Sequence, residues 1–204
     1  MPPMIRRIPP LPGFLIALIL AGVLSLLGPA ERSLGANVRL VYLHGAWVWT
    51  ALIGLGSAAA VGLAGLILRR GHLQRWSVAF GQAGMLFWIG YLPLSVWTMQ
   101  ANWNGLYLAE PRFKVGLDYA VIGLLIQAAI LVLRDARIGS ALNLAFAIAL
   151  AWSISGAEQV MHPASPIFSS DSVAIRLFFL ILLFVSLLAG LMLARWLHAL
   201  QSKP

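Results

Sequence analysis

The chain of 204 residues contains no cysteine, and it is poor in charge: six acidic residues and fourteen basic ones make only 10% of it charged. Without cysteine there is no disulfide, no thiolate metal site, no iron–sulfur cluster and no thioether attachment of haem, so any metal chemistry has to use nitrogen or oxygen ligands. A soluble domain carries roughly 25% charged residues, and this scarcity excludes one. No Gly-rich phosphate loop ends in Lys-Ser or Lys-Thr, no His-Glu-x-x-His occurs, and no Ser, His and Asp set surrounds a nucleophile elbow. ATPase and hydrolase activities are therefore unsupported, and the chain is expected not to be an enzyme. The interiors of the apolar runs hold no Asp, Glu, Lys or Arg, which argues against a pump or an ion-coupled transporter.

What remains is apolar. Hydrophobic residues make up 61% of the chain and mean hydropathy is +0.90. They fall into runs of about twenty residues, the length that crosses a bilayer. The runs at 13–29, 44–68, 77–98, 115–133, 139–156 and 173–197 predict an all-α polytopic membrane protein. It would be one six-helix transmembrane domain over residues 1–204. The first run competes with a signal-peptide reading, and its length favours a retained helix. The fifth, Ala-rich with Ser140, Asn143, Ser153 and Ser155, is expected to pack inside the bundle. In the second, Gly54, Gly56, Gly62 and Gly65 suggest a close helix-packing face. Pro93 is expected to kink the third near its outer end.

The net charge of +8 has no basic cluster with interleaved aromatics, so nucleic acid is not an expected partner. The charges sort by side. The N-terminus, residues 69–76 and 134–138 and the C-terminus hold nine basic residues and one acid, Asp135. The alternate connections hold Arg32, Arg39, Arg112, Lys114 and Arg176 against five acids. The positive-inside rule then puts both termini in the cytoplasm and the longer loops outside. An inner, or plasma, membrane with functional loops on its periplasmic side is the expected location.

Four histidines divide by side in the same way. His72, in Arg69-Arg70-Gly71-His72, and His198 are read as interfacial residues. On the outer side, His44 and His162 are each expected at a junction of loop and helix. Neutral imidazoles there could ligate a metal, and two can hold haem iron axially; the competing reading is a polar belt residue. Between them, residues 98–114 combine Trp103, Tyr107, Arg112 and Lys114. Trp103 and Tyr107 stand four apart and on a short interfacial helix would share one aromatic face, against a porphyrin, a quinone or lipid. Arg112, Lys114 and Arg176 could bind carboxylates such as haem propionates, or headgroups; Asp171 and Glu158 are candidate partners for Arg176.

The order of histidine, aromatic loop and histidine resembles the membrane haem-handling proteins of cytochrome c assembly, of the six-span cytochrome c maturation protein C type. Arg39-Leu40-Val41-Tyr42-Leu43-His44 with Ala46-Trp47 is similar to that family's text around its first histidine, and His162-Pro163-Ala164-Ser165 to that around its second. The loop has Trp103 and, just before it, Trp97, where the family has several tryptophans and a closing Asp, so the chain resembles a divergent member. The resemblance implies non-covalent haem b held by His44 and His162, with the aromatic loop as its platform. Trp47, Trp103, Tyr107, Arg112 and Arg176 complete the expected cofactor contacts. Expected partners are the lipid bilayer, haem, and other assembly or transporter subunits. The alternatives are a non-catalytic small subunit of a respiratory or photosynthetic complex, and a quinone-binding or electron-transfer anchor.

Overall fold

A computed structural model of the protein describes residues 9–158 and 167–201. These residues form six helices: α1 (Pro10–Leu26), α2 (Val38–Ile67), α3 (Gly71–Trp103), α4 (Pro111–Leu133), α5 (Ala136–Ser155) and α6 (Val173–Gln201). The all-α expectation holds. Helices α2 to α6 are long and apolar enough to cross a membrane, whereas α1, of 17 residues, falls just short of that length. Apolar side chains left outward, among them Val132 at 80% exposure and Ile67 at 70%, make a surface suited to lipid rather than water.

Helices start and stop where local chemistry dictates. Proline stands at the start of α1 and α4, where a missing N–H costs nothing. Glu110 caps α4 by accepting from Phe113 N–H, and Asp135 caps α5 by accepting from Arg137 and Ile138 N–H. Asn104 and Arg134, both with φ of 52°, end α3 and α4 in the left-handed conformation. The connections α2–α3 and α4–α5 are two or three residues long, while α1–α2, α3–α4 and α5–α6 are longer. The long connections share one end of the bundle.

Several helices exceed their apolar runs. Helix α2 begins at Val38 rather than near 44, and α3 spans Gly71–Trp103 rather than 77–98, because the i to i−4 backbone hydrogen bonding continues into flanking residues whatever their polarity. Helix α3 continues through Pro93. Helix α5 buries one face only: Gly139, Ser140, Asn143, Phe146 and Leu150 point inward, and Trp152 on the other side is 82% exposed. Its small residues Gly139 and Ser140 do pack closely on α2 and α3, but the expectation that the helix sits inside the bundle is corrected to a peripheral helix with one buried face.

The pairing of α2 with α3 is the most extensive in the fold and sets its register. A Cβ on Gly54 would stand 3.0 Å from Gly84 Cα, and one on Gly84 only 2.8 Å from Leu55 N, so the two backbones touch. Towards the short-connection end Gly62 meets Ser77 and Gly65 meets Gln74. Gly56 has open space and is not part of that face. As numbers rise along α2 they fall by nearly the same step along α3, so the pairing is antiparallel. Extended the other way, the register brings Trp47 onto Gly90 and Asn37 onto Ala101, whose carbonyl accepts from Asn37 Nδ2 at 2.9 Å.

At the long-connection end, residues 27–37 fold back over α2. Arg39 Nε donates to Gly28 O at 3.0 Å and Tyr42 O–H to Pro29 O at 3.1 Å. Glu31 holds the turn by accepting from Ser33 Oγ, Ser33 N–H and Leu34 N–H. The Ser33 hydroxyl, followed by the Leu34 amide, holds its carboxyl below the usual range.

Candidate functional site

The α2–α3 register that joins Gly54 to Gly84 also sets His44 opposite Ser95. His44 Nδ1 lies 3.3 Å from Ser95 Oγ, and the edge of the imidazole meets the Tyr91 ring at 5.8 Å between centroids. Tyr91 is itself fixed. Its ring packs at 4.8 Å against Trp88, whose indole N–H donates to Gly116 O at 3.0 Å, and its hydroxyl occupies the space a side chain at Gly116 would need. The polar end of the imidazole is thus positioned by α3, and α3 is locked to α4. Since α2 starts at Val38, His44 lies nearly two turns inside a helix and not at its junction with a loop.

His44 and Ser95 open on a cavity of about 470 Å³ at the long-connection end of the bundle. That volume lies within the roughly 300–1,000 Å³ of cofactor and ligand pockets. Its walls are aromatic: Trp49 and Phe168 meet edge to face at 6.4 Å, Phe168 continues onto Phe179, and Trp103 stands at the end of α3. Three of the lining residues carry buried polar atoms. Asn102 Oδ1, Glu110 Oε1 and Arg112 Nε belong to cavity-lining residues, are shielded from water, and have no hydrogen-bond partner among the described residues. Buried polar atoms are seldom left this way.

The expected site residues divide. His44, Trp103 and Arg112 line the cavity. Trp47 does not: its ring packs at 5.2 Å on Phe87 in the core, with Nε1 fitted against Gly90. Position 47 is three residues past His44 on the same α3-facing side, so it lies about one turn deeper in the bundle, against Phe87 and Gly90. Tyr107 is 43% exposed and outside the cavity, meeting Trp103 edge to face at 5.8 Å. The short interfacial helix expected to carry both rings does not form, because α3 ends at Trp103 and Asn104 turns the chain away. Arg176 sits in the first turn of α6, its N–H bonded to Ser172 O, and is not in the cavity wall. His162 lies outside the described residues. His72 is exposed, and His198 stacks on Trp76 at 4.2 Å and 15°, a packing role beyond the simple interfacial one expected.

Sequence reasoning missed Ser95, Tyr91, Trp49, Asn102 and Glu110. Only Glu110 had a local signal, an acid directly before the proline that begins α4. The others depend on which helix faces which.

Among the described residues no group of three or more His, Asp or Glu could hold a bare metal ion. Haem brings four nitrogens of its own and asks the protein only for axial ligands. A histidine steadied through Nδ1, flat aromatic walls and a half-buried arginine fit such a group. No protein-family model and no curated protein matches the chain.

Proposed function

We propose that the protein binds haem b non-covalently in this cavity, with His44 as an axial ligand and His162 as the second, for haem trafficking or cytochrome c assembly and not for catalysis. The single observation that carries the reading is His44 held at Nδ1 by Ser95 inside an aromatic cavity whose wall includes the unpartnered Arg112 guanidinium nitrogen. Metal-ligating histidines are characteristically held this way through their other nitrogen. A half-buried guanidinium whose Nε has no partner among the described residues suits a carboxylate, which Arg can meet with a fork of donors. Trp49, Trp103 and Phe168 would exclude water and confine a planar group. Bound haem would supply whatever redox chemistry the protein has.

The cavity lies at the end with the less basic connections, so the charge asymmetry supports an orientation with both termini in the cytoplasm and haem at the outer face of a plasma membrane. Other assembly or transporter subunits would meet it there. The resemblance to the cytochrome c maturation protein C type, resting on His44, Trp103 and His162, supports the same reading.

The test is direct. Protein purified in detergent after expression with ample haem should show a Soret band and a pyridine haemochrome of b type, both lost in His44→Ala and His162→Ala. No Soret band in the wild type overturns the proposal, and bands unchanged in both variants move the ligands elsewhere.

A further inference from the structure

A second groove lies on the flank of the bundle, nearer the short-connection end. Its volume is about 450 Å³, and its walls include Gln82 and Met85 of α3, Leu124 and Gln127 of α4, and Leu197 and Gln201 of α6. Both α4 and α6 pack on α3, but they do not pack on each other, so the groove is the gap between them and opens sideways. None of its lining residues is charged.

Its polar groups are oriented from inside the bundle. Asn143 Nδ2 donates to Ser77 O at 3.1 Å, which turns Asn143 Oδ1 towards Gln127, and Gln127 Nε2 donates to it at 3.0 Å. The amide of Gln127 is thereby fixed with Oε1 directed away from the network. That oxygen has no partner among the described residues, although Gln127 is only 8% exposed. Across the groove Gln201 Nε2 is also buried and without a partner among the described residues. One wall thus carries a buried acceptor and the other a buried donor, each without a partner among the described residues.

We propose that this groove binds a membrane-dissolved hydroquinone, with one ring hydroxyl donating to Gln127 Oε1 and the oxygen on the far side of the ring accepting from Gln201 Nε2. A ligand with opposed donor and acceptor can bridge two helices that do not touch. The Leu, Ile and Met wall takes the start of its apolar tail. Phospholipid headgroups find no cation there, and a partner helix finds none of the Gly, Ala or Ser that close helix approach requires. Both amide atoms are buried as they stand, so the head group reaches them only when side chains lining the groove move aside. The site does not depend on haem.

Detergent-purified protein titrated with a decyl-tailed benzoquinol should bind it saturably. Gln201→Leu, which leaves the Asn143 network intact, should weaken binding about tenfold, the effect of one lost hydrogen bond at the upper end of the usual range. Gln127→Leu should do the same, and if that variant fails to fold the Gln201 variant decides alone. A photoreactive quinone should label peptides of α4 and α6. Absent saturation, equal binding of dioctanoylglycerol, unchanged affinity in Gln201→Leu, or a dimer or partner helix cross-linked across the groove would each overturn the proposal.

Discussion

At the scale of single residues, the cavity depends on side chains that hold other side chains. Ser95 Oγ lies 3.3 Å from His44 Nδ1. Loss of such a supporting group typically costs about 10–100-fold in metal affinity. Ser95→Ala should therefore weaken haem binding by that order while leaving the b-type spectrum at saturation, as a haem titration followed at the Soret band would read. Arg112→Leu should also weaken binding, with iron ligation unchanged; an unaltered affinity would assign the guanidinium to headgroups instead. Glu31 belongs to the same scale. Its carboxyl is held low by the Ser33 hydroxyl and the Leu34 amide, so the turn is stabilised above the unfolded carboxyl's range, and that support goes as pH falls through the lowered value. The protection factor for amide exchange at Leu34, taken relative to the intrinsic rate at each pH, should fall on acidification, and Glu31→Gln should abolish that fall.

Elements decide what those residues face. His44 and Ser95 stand 51 positions apart, and nothing local to either names the other. Their meeting follows from the Gly54–Gly84 contact about three turns away, where both helices lack a side chain and their backbones close up. The glycines of the second run were legible as a packing face, but not the partner helix or the register. Gly84→Ala puts a methyl against Leu55 N at 2.8 Å, a backbone atom that cannot swing aside. Overpacking of this kind costs roughly 1–3 kcal/mol. The variant should unfold at lower temperature in a thermal scan and bind haem less well, since parting α2 from α3 separates His44 from Ser95. The failed helix over 103–107 has an equally specific cause: Asn104 accepts the left-handed conformation, so a spacing of four brought Trp103 and Tyr107 into contact without giving them a shared helical face.

For the whole molecule, the five long apolar helices and the outward Leu, Ile and Val make a membrane protein. Orientation is testable because the natural chain has no cysteine to remove. An impermeant thiol reagent added to intact cells should label Ala109→Cys, in the α3–α4 connection, and spare His72→Cys, at the start of α3, until the membrane is opened. The reverse pattern would put the cavity on the cytoplasmic side and remove the basis for outer-face haem handling.

Composition and run length by themselves determined the membrane class, the helical fold and the rough positions of the helices, because a chain without backbone partners in lipid must satisfy its own hydrogen bonds within each span. Residue type alone marked His44, Trp103 and Arg112. Only the tertiary structure decided that these three share a cavity, that Trp47 and Arg176 do not line it, and that Ser95, Asn102 and Glu110 do. The reason is that helix register is set by close contacts between distant residues, and those contacts leave no periodic trace in the sequence around the side chains they align.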